Sequence, residues 1–361
     1  MRIVFDCRYT RIDHHDGISR YTAGLVAALA RLHPLTMLIS DHRQLAMLPE
    51  LPWELIAAPT SVAEPLVARS VNRLKPDVVF SPMQTMGSWR RDYALVLTVH
   101  DLIYYTNRTP PRDLAWPIRL LWRLYHLAWW PQRVLLNRAD AVVTVSETTK
   151  RLIAAHRLTT RPVSVVPNAA GSAASDSVQD PAPRRRSLVY MGSFMPYKNV
   201  ETLVTAMRSL GDYELHLMSK ISPAQRARLT ALAPDAALIF HDGASDTEYH
   251  DCLRRATALV TASLDEGFGI PLLEAMSLGT PVVVSDIPIF REIAGEAASY
   301  FSPRDAPALA EAVRALQVPE VWQPKSAQSR LIASRYSWDT SAKRLLTVLT
   351  TTAAQNSRGL S

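Results

Sequence analysis

Cysteine is nearly absent. Only Cys7 and Cys252 occur in 361 residues, far apart and at no redox or zinc-motif spacing. A disulfide scaffold is excluded, and a reducing, cytoplasmic setting is expected. Long apolar runs are missing too: nothing approaches the roughly 20 apolar residues of a membrane-spanning helix. Asp6 comes too early for a secretory leader, so residues 1–6 read instead as a first buried strand. No G-x-G-x-x-G follows that strand, where Asp6-Cys7-Arg8-Tyr9 stands, which argues against a dinucleotide oxidoreductase. Nucleic-acid-binding signatures are also lacking. The excess of 40 Lys and Arg over 33 Asp and Glu, formally +7, therefore favours an anionic partner without identifying it.

What is present fits a globular α/β protein. Apolar residues make up 48% and charged residues 20%, and the length suits about two domains. Short β-branched runs alternate with helical periodicity, the pattern of parallel sheets covered by helices. Strands are expected at residues 3–7, 36–40, 78–81, 95–100, 141–145 and 163–166. A second series is expected at 188–191, 214–218, 237–241, 258–261 and 282–285. Helices are expected at 19–32, 150–156 (with Ser146 as a cap), 200–209, 223–232, 247–255, 271–278, 306–316 and 338–349. Between the two series, residues 171–187 have linker composition, with Arg184–Arg186 a solvated run. The expected division is a first domain over 1–175, a linker over 176–187 and a second domain over 188–335. A C-terminal helix and tail over 336–361 would cross back to the first domain, and ligand would sit at the carboxyl ends of the strands.

Residues 266–285 carry the clearest chemistry. Their order is a strand end, the loop Glu266-Gly267-Phe268-Gly269-Ile270-Pro271, a helix, Gly279 and another strand. Pro271 suits an early helical position because its missing N–H would have no partner there anyway. Gly267 and Gly269 let backbone approach a ligand closely. The amides of Gly269, Ile270 and Leu272 are then expected to form an anion site reinforced by the helix dipole. Glu266 and Glu274 frame that site. Carboxylates beside a phosphate are unfavourable unless they bind hydroxyls, which a sugar nucleotide supplies.

Glu266–Glu274 with the intervening Gly-Phe-Gly-Ile-Pro resembles the E-x7-E motif of the retaining GT-B glycosyltransferases of family 4. Gly17-Ile18-Ser19-Arg20-Tyr21, Val99-His100-Asp101-Leu102, Val145-Ser146-Glu147, Val166-Pro167-Asn168 and residues 192–199 resemble further stretches of that family, in the same order. The resemblance spans roughly residues 1–350. It implies an α/β GT-B fold of two Rossmann-like domains facing an interdomain cleft. It also implies transfer of a hexose from a nucleoside-diphosphate sugar to a hydroxyl of a sugar, glycan or lipid-linked acceptor, with retention. No cofactor and no metal are implied, and no D-x-D occurs.

By the same resemblance, Glu274 would hold the ribose hydroxyls and Glu266 the hydroxyls of the transferred sugar. Lys198 would neutralise the leaving diphosphate, and His100 would contact the sugar. Gly17, Gly192, Ser193 and residues Gly267, Phe268, Gly269, Ile270 and Leu272 would line the donor. The loops look most like branches that use GDP-mannose, with UDP-glucose or UDP-N-acetylglucosamine as alternatives. Two departures stand out. Tyr197 and Ser193 occupy positions where relatives often carry arginine, leaving Arg20 or Arg291 as substitutes. Ser19 stands where a second glycine is common.

Other features read more plainly. His14, His15 and Asp16 suggest a hydrated loop rather than a metal site, and Asp6 and Cys7 a strand end. Residues 111–138 interleave Trp116, Trp122, Trp129 and Trp130 with Arg112, Arg119, Arg123, Arg133 and Arg138, a composition used at anionic membrane surfaces. Pro117 and Pro131 interrupt a single long face, which favours packing on the protein itself. A sugar-nucleotide epimerase, or a silent binding protein of the same fold, is the competing reading.

Overall fold

The computed structural model of the chain describes residues 1–110, 116–171 and 185–359. Residues 111–115 of the Trp/Arg stretch and 176–184 of the expected linker, including Arg184, therefore lie outside the described residues. The chain forms two compact units, Met1–Ala169 with Ser337–Ser361, and Ala170–Tyr336.

The first unit contains β1 (Ile3–Asp6), α1 (Gly17–Ala30), β2 (Leu35–Ile39), β3 (Trp53–Leu55), α2 (Ala68–Asn72), β4 (Val78–Ser81) and β5 (Ala94–Val99). It continues through α3 (Ile103–Thr106), α4 (Trp116–Tyr125), α5 (Trp130–Asn137), β6 (Ala141–Thr144), α6 (Glu147–Ala155) and β7 (Val163–Val165). Its sheet runs β3-β2-β1-β4-β5-β6-β7, all pairings being parallel. Runs such as Ile3-Val4-Phe5 and Val78-Val79-Phe80 are wholly buried, as central strands covered on both faces require. Strand order reverses between β1 and β4, and a buried charge network closes that point. Arg8 Nε and Asp6 Oδ1 are 2.8 Å apart, Arg8 Nη1 and Glu64 Oε2 2.6 Å, and Ser81 Oγ donates to Asp6 Oδ2 at 3.2 Å. Removing one member of such a buried network costs about 3–5 kcal/mol.

The second unit contains β8 (Ser187–Tyr190), α7 (Val200–Met207), β9 (Glu214–Leu217), α8 (Pro223–Leu232), β10 (Ala237–Phe240), α9 (Asp246–Arg255) and β11 (Ala258–Thr261). It ends with α10 (Ile270–Ser277), β12 (Val282–Ser285), α11 (Pro288–Ala294), β13 (Ser299–Phe301), α12 (Ala306–Ala315) and α13 (Pro319–Ala333). Its sheet is again parallel, ordered β10-β9-β8-β11-β12-β13. One core joins Leu203, Leu215, Val260 and Val283 to Leu309 and Val313. The last helix, α14 (Trp338–Gly359), returns to the first unit and packs on α1, β4 and β5.

Several elements depart from the sequence reading. β3 escaped notice because it is a three-residue edge strand with every residue exposed. α13 carries Pro324 in its interior, which ordinarily signals a break. β13 and α11 are short. Ser187, assigned to the linker, opens β8, buried and paired with Glu214. The first unit ends at Ala169 because Val166, Asn168 and Ala169 still pack inside it and Ser341 Oγ donates to the Pro167 carbonyl at 2.8 Å.

α14 docks through Ala342, Leu345 and Leu349, all fully buried, and through Trp338 at its start. A Cβ on Gly24 of α1 would lie 2.3 Å from the Trp338 ring, so only glycine admits the indole. Gly24→Ala should therefore destabilise the protein by about 1–3 kcal/mol from overpacking, although alanine is the better helix former. Urea titration followed by tryptophan fluorescence measures it, and a stabilised variant would show that α14 does not seat there.

Candidate active site

In the second unit the strand order reverses between β8 and β11, and the carboxyl ends of those strands meet at this switch point, where open α/β sheets bind ligands. Past β8, the Gly192 N–H donates to Ser219 Oγ at 3.2 Å, and Tyr190 Oη donates to the exposed Ser193 carbonyl at 2.7 Å. A Cβ on Gly192 would come 2.8 Å from the Tyr190 hydroxyl, so the loop cannot carry a side chain there. Lys198 ends a single turn, Pro196–Lys198. Asn199 follows with φ +52°, a conformation asparagine tolerates better than most residues. Its Nδ2 donates to Ala262 O at 3.1 Å and Pro303 O at 2.6 Å, while the Leu264 N–H donates to Tyr197 O at 2.7 Å. These bonds clamp the β8 loop to the β11 loop.

The clamp brings the Lys198 ammonium onto the Glu266 carboxylate. Ser263 Oγ donates to the same Glu266 oxygen at 2.9 Å. The two charged side chains keep only 15% and 14% exposure. The residues expected at the diphosphate and at the sugar are thus already paired.

Gly269 begins α10 with φ +97°, a left-handed geometry that a Cβ would strain. The Leu272 N–H folds back onto the Gly269 carbonyl at 3.0 Å, so it offers no free donor. The expected anion site shrinks accordingly to Gly269 and Ile270, whose amides have no hydrogen-bond partner among the described residues. Phe268 is buried against Tyr336, ring centroids 5.8 Å apart. Gly267 is buried, and Glu274, inside α10, is 3% exposed.

His100 and Gly17 belong to the first unit. His100 follows β5, and its Nε2 donates to the Pro82 carbonyl at 2.7 Å. That bond fixes the proton on Nε2 and leaves Nδ1 as the acceptor. The Tyr21 ring meets it edge-on at 5.0 Å. Burial pulls the imidazole pKa below its ordinary value, so the ring is neutral at pH 7. Gly17 opens α1, exposed, beside Asp16, which accepts the Ser19 N–H at 2.9 Å and pairs with Arg11 at 2.7 Å. Of the two substitutes for the missing loop arginine, Arg20 lies on α1. Arg291 forks onto Asp286 through two 2.8 Å bonds and stacks 3.8 Å over Tyr300, a committed pair.

Sequence reasoning missed Ser219, Ser263 and Asn199. Only Asn199 left a signal, as a left-handed-tolerant residue immediately before a helix. The two serines act through positions that only the folded sheet brings near.

The Trp/Arg stretch divides its aromatics. Trp122 meets the Tyr104 ring at 5.0 Å, and Trp129 stacks on Tyr105 at 3.8 Å. Trp116, Leu121, Leu124, Leu127 and Trp130 are exposed, Trp116 at 76% and Leu121 at 67%. Packing on the protein itself therefore accounts for Trp122 and Trp129 but not for Trp116 and Trp130. No helix among the described residues is long and apolar enough to cross a membrane.

Two family models match the chain: Glycosyltransferase Family 4 over residues 15–170 and Glycosyl transferases group 1 over residues 174–318. The chain is 28% identical over 251 residues to the O-antigen chain mannosyltransferase RfbU of Salmonella typhimurium, covering 67% of this chain and 65% of that protein. It is 38% identical over 96 residues to a phosphatidyl-myo-inositol mannosyltransferase of Mycobacterium leprae, 26% of either chain. The matches thus span less than two thirds of these relatives' own length. Among solved structures, a glycosyltransferase from Rickettsia africae aligns over 97% of this chain and 98% of its own, TM-score 0.74 at 13% identity. Anabaena HepE, solved with UDP and glucose, aligns over 96% and 99%, TM-score 0.68 at 16% identity. With an α/β architecture of two parallel sheets and GT-B glycosyltransferases as its structural neighbours, the chain belongs to the family 4 (group 1) glycosyltransferases.

Proposed function

We propose that this glycosyltransferase moves mannose from GDP-mannose to a hydroxyl of a sugar, glycan or lipid-linked acceptor, with retention, without a metal and on the cytoplasmic side of a membrane. The Lys198–Glu266 pair at the β8/β11 switch point, beside the free Gly269 and Ile270 amides, carries this reading. A diphosphate arriving there exchanges one anionic partner of the ammonium for another, and the two amides add donors. Glu266, released, accepts hydroxyls of the hexose, and Glu274 those of the ribose. The family resemblance assigns contact with the sugar to His100, which is neutral and fixed in one tautomer. Lys198 then stabilises the leaving diphosphate as its charge develops. The several mannosyltransferases among the relatives support the choice of sugar.

The direct test is to incubate the protein, in EDTA, with GDP-mannose, UDP-glucose or UDP-N-acetylglucosamine and candidate acceptors. Proton NMR then gives the anomeric configuration of the product. Turnover from GDP-mannose with an α-linked product is expected. Activity that requires added magnesium or manganese would overturn metal independence, preference for a UDP-sugar would overturn the donor, and isomerised donor would overturn transfer.

Two substitutions separate the roles at the pair. Lys198→Ala should lower kcat by a larger factor than it weakens binding of intact donor, since its charge matters most in the transition state; equal losses would assign it to uniform binding. Glu266→Gln frees the ammonium, so GDP should bind at least as tightly as in the wild type while turnover falls. Weaker GDP binding in that variant would contradict the exchange of partners.

We also infer an anionic lipid surface as the partner of α4 and α5. Arg119 and Arg123 accompany the exposed Trp116, Leu121 and Leu124, an apolar face with cations at its border. Each arginine near such a surface contributes ~1 kcal/mol, screened by salt. The protein should sediment with phosphatidylglycerol vesicles at low ionic strength and release at about 0.5 M salt. Arg119→Glu with Arg123→Glu should abolish sedimentation without unfolding. Wild-type protein that ignores these vesicles at every salt concentration would return the stretch to ordinary surface.

A further inference from the structure

Three ligand-type side chains, distant in sequence, converge within the second unit: His216 from β9, His241 just past β10 and Cys252 from α9. The parallel register explains the two histidines. His216 pairs with Ile239, and position 241, two residues on, falls on the same face of the sheet. Cys252 comes from α9. One donor atom from each residue lies within 4.8 Å of the other two, and all three residues are half-buried.

Their hydrogen bonding sets an unusual condition. His216 Nε2 lies 3.3 Å from Glu214 Oε2, and His241 Nδ1 lies 2.6 Å from Glu248 Oε1. A carboxylate only accepts, so those two ring nitrogens carry the protons. The remaining nitrogens, His216 Nδ1 and His241 Nε2, then face each other at 2.9 Å. With both rings neutral, two lone pairs oppose one another. A cation between them removes the conflict, and carboxylates on the outer nitrogens are the usual support of metal-bound imidazoles.

We propose that His216, His241 and Cys252 form a site for a zinc-class divalent cation, with Glu214 and Glu248 orienting the rings. Two imidazoles and a thiolate are a zinc donor set. At Zn–N distances near 2.05 Å, tetrahedral nitrogens stand about 3.3 Å apart, so the rings need to open by only a few tenths of an ångström. As the Zn–S bond forms, the Cys252 proton leaves to solvent. His216 and Cys252 line a cavity of about 430 Å³, which admits water as a fourth ligand. Glu248 and Asp251 on its wall offset Arg185 and Arg255. Bound there, the ion ties β9, β10 and α9 together.

Cobalt(II) is the probe. Metal-free, full-length protein without an affinity tag is titrated with Co²⁺ and followed by absorption. The expected result is saturation at one equivalent, with a thiolate-to-cobalt charge-transfer band in the near ultraviolet, intense four-coordinate visible bands, and displacement of both by Zn²⁺. Cys252→Ser should abolish the charge-transfer band, and both it and His241→Gln should weaken binding at least tenfold. Unchanged GDP binding in these variants verifies that they are folded and separates this site from the donor site. Absence of the thiolate band at one equivalent overturns the proposal, as does an affinity indifferent to both substitutions. The 2.9 Å contact is then a plain hydrogen bond from one protonated imidazole.

Discussion

Every strand pairing in both sheets is parallel, and the placement of chemistry in this protein follows from that constraint. Parallel neighbours cannot be joined by a tight turn, so each connection crosses over through a helix or long loop. All carboxyl ends of a sheet therefore fall along one edge. Backbone leaving that edge is free of the ladder and can bend toward a ligand. In the second unit the loops after β8 and β11 leave the sheet at the switch point and bring Lys198, Glu266 and the start of α10 together there. In the first unit the corresponding point is closed by Asp6, Arg8 and Glu64, which hold one another instead of facing solvent. The same topology thus carries a partly exposed Lys198–Glu266 pair in one unit and, in the other, a network whose Asp6 and Arg8 side chains are wholly buried.

The pairing of Lys198 with Glu266 bears on affinity as much as on position. A charge pair about 4 Å apart is worth roughly 4 kcal/mol at an effective dielectric near 20. Replacing a carboxylate partner by a phosphate of like charge therefore changes little by itself. For the diphosphate proposed to bind there, the net gain would come from its second negative charge and from the amides of Gly269 and Ile270. That proposal carries a selectivity: a single carboxylate or a neutral sugar would not displace Glu266, whereas a diphosphate would. Ser263, bonded to the same carboxylate oxygen, keeps Glu266 hydrogen-bonded on one side once the ammonium moves away.

Much of this was legible in the sequence. Buried β-branched runs set the strands of both sheets, and the Glu266–Glu274 spacing with its glycines and proline marked the loop-to-helix junction. That the Leu272 amide is already taken by the Gly269 carbonyl was not legible, because Pro271 at the helix start sets the first turn without showing which carbonyl takes the next donor. Exposure of α4 was hidden for a similar reason: composition supplies tryptophans and arginines but not the rotation that turns Trp122 inward and Trp116 outward. The His216, His241 and Cys252 cluster left no motif at all, since its members sit on three separate elements. Only the register of β9 against β10 makes neighbours of positions 216 and 241.

Burial divides the two acids of the motif. Glu266 lies in a loop at 14% side-chain exposure and shares an oxygen with two partners, so it can exchange contacts as ligand arrives. Glu274 lies inside α10 at 3% exposure. A carboxylate buried so deeply must be held by donors in either state, because an unpaired buried charge costs several kcal/mol. Its place in the middle of α10, among that helix's buried residues, fixes its position. On the proposed reading, a fixed acceptor of this kind suits hydroxyls that are read by position, as those of a constant ribose are. The same proposal leaves the movable acid beside the lysine for the group whose bonding changes during transfer.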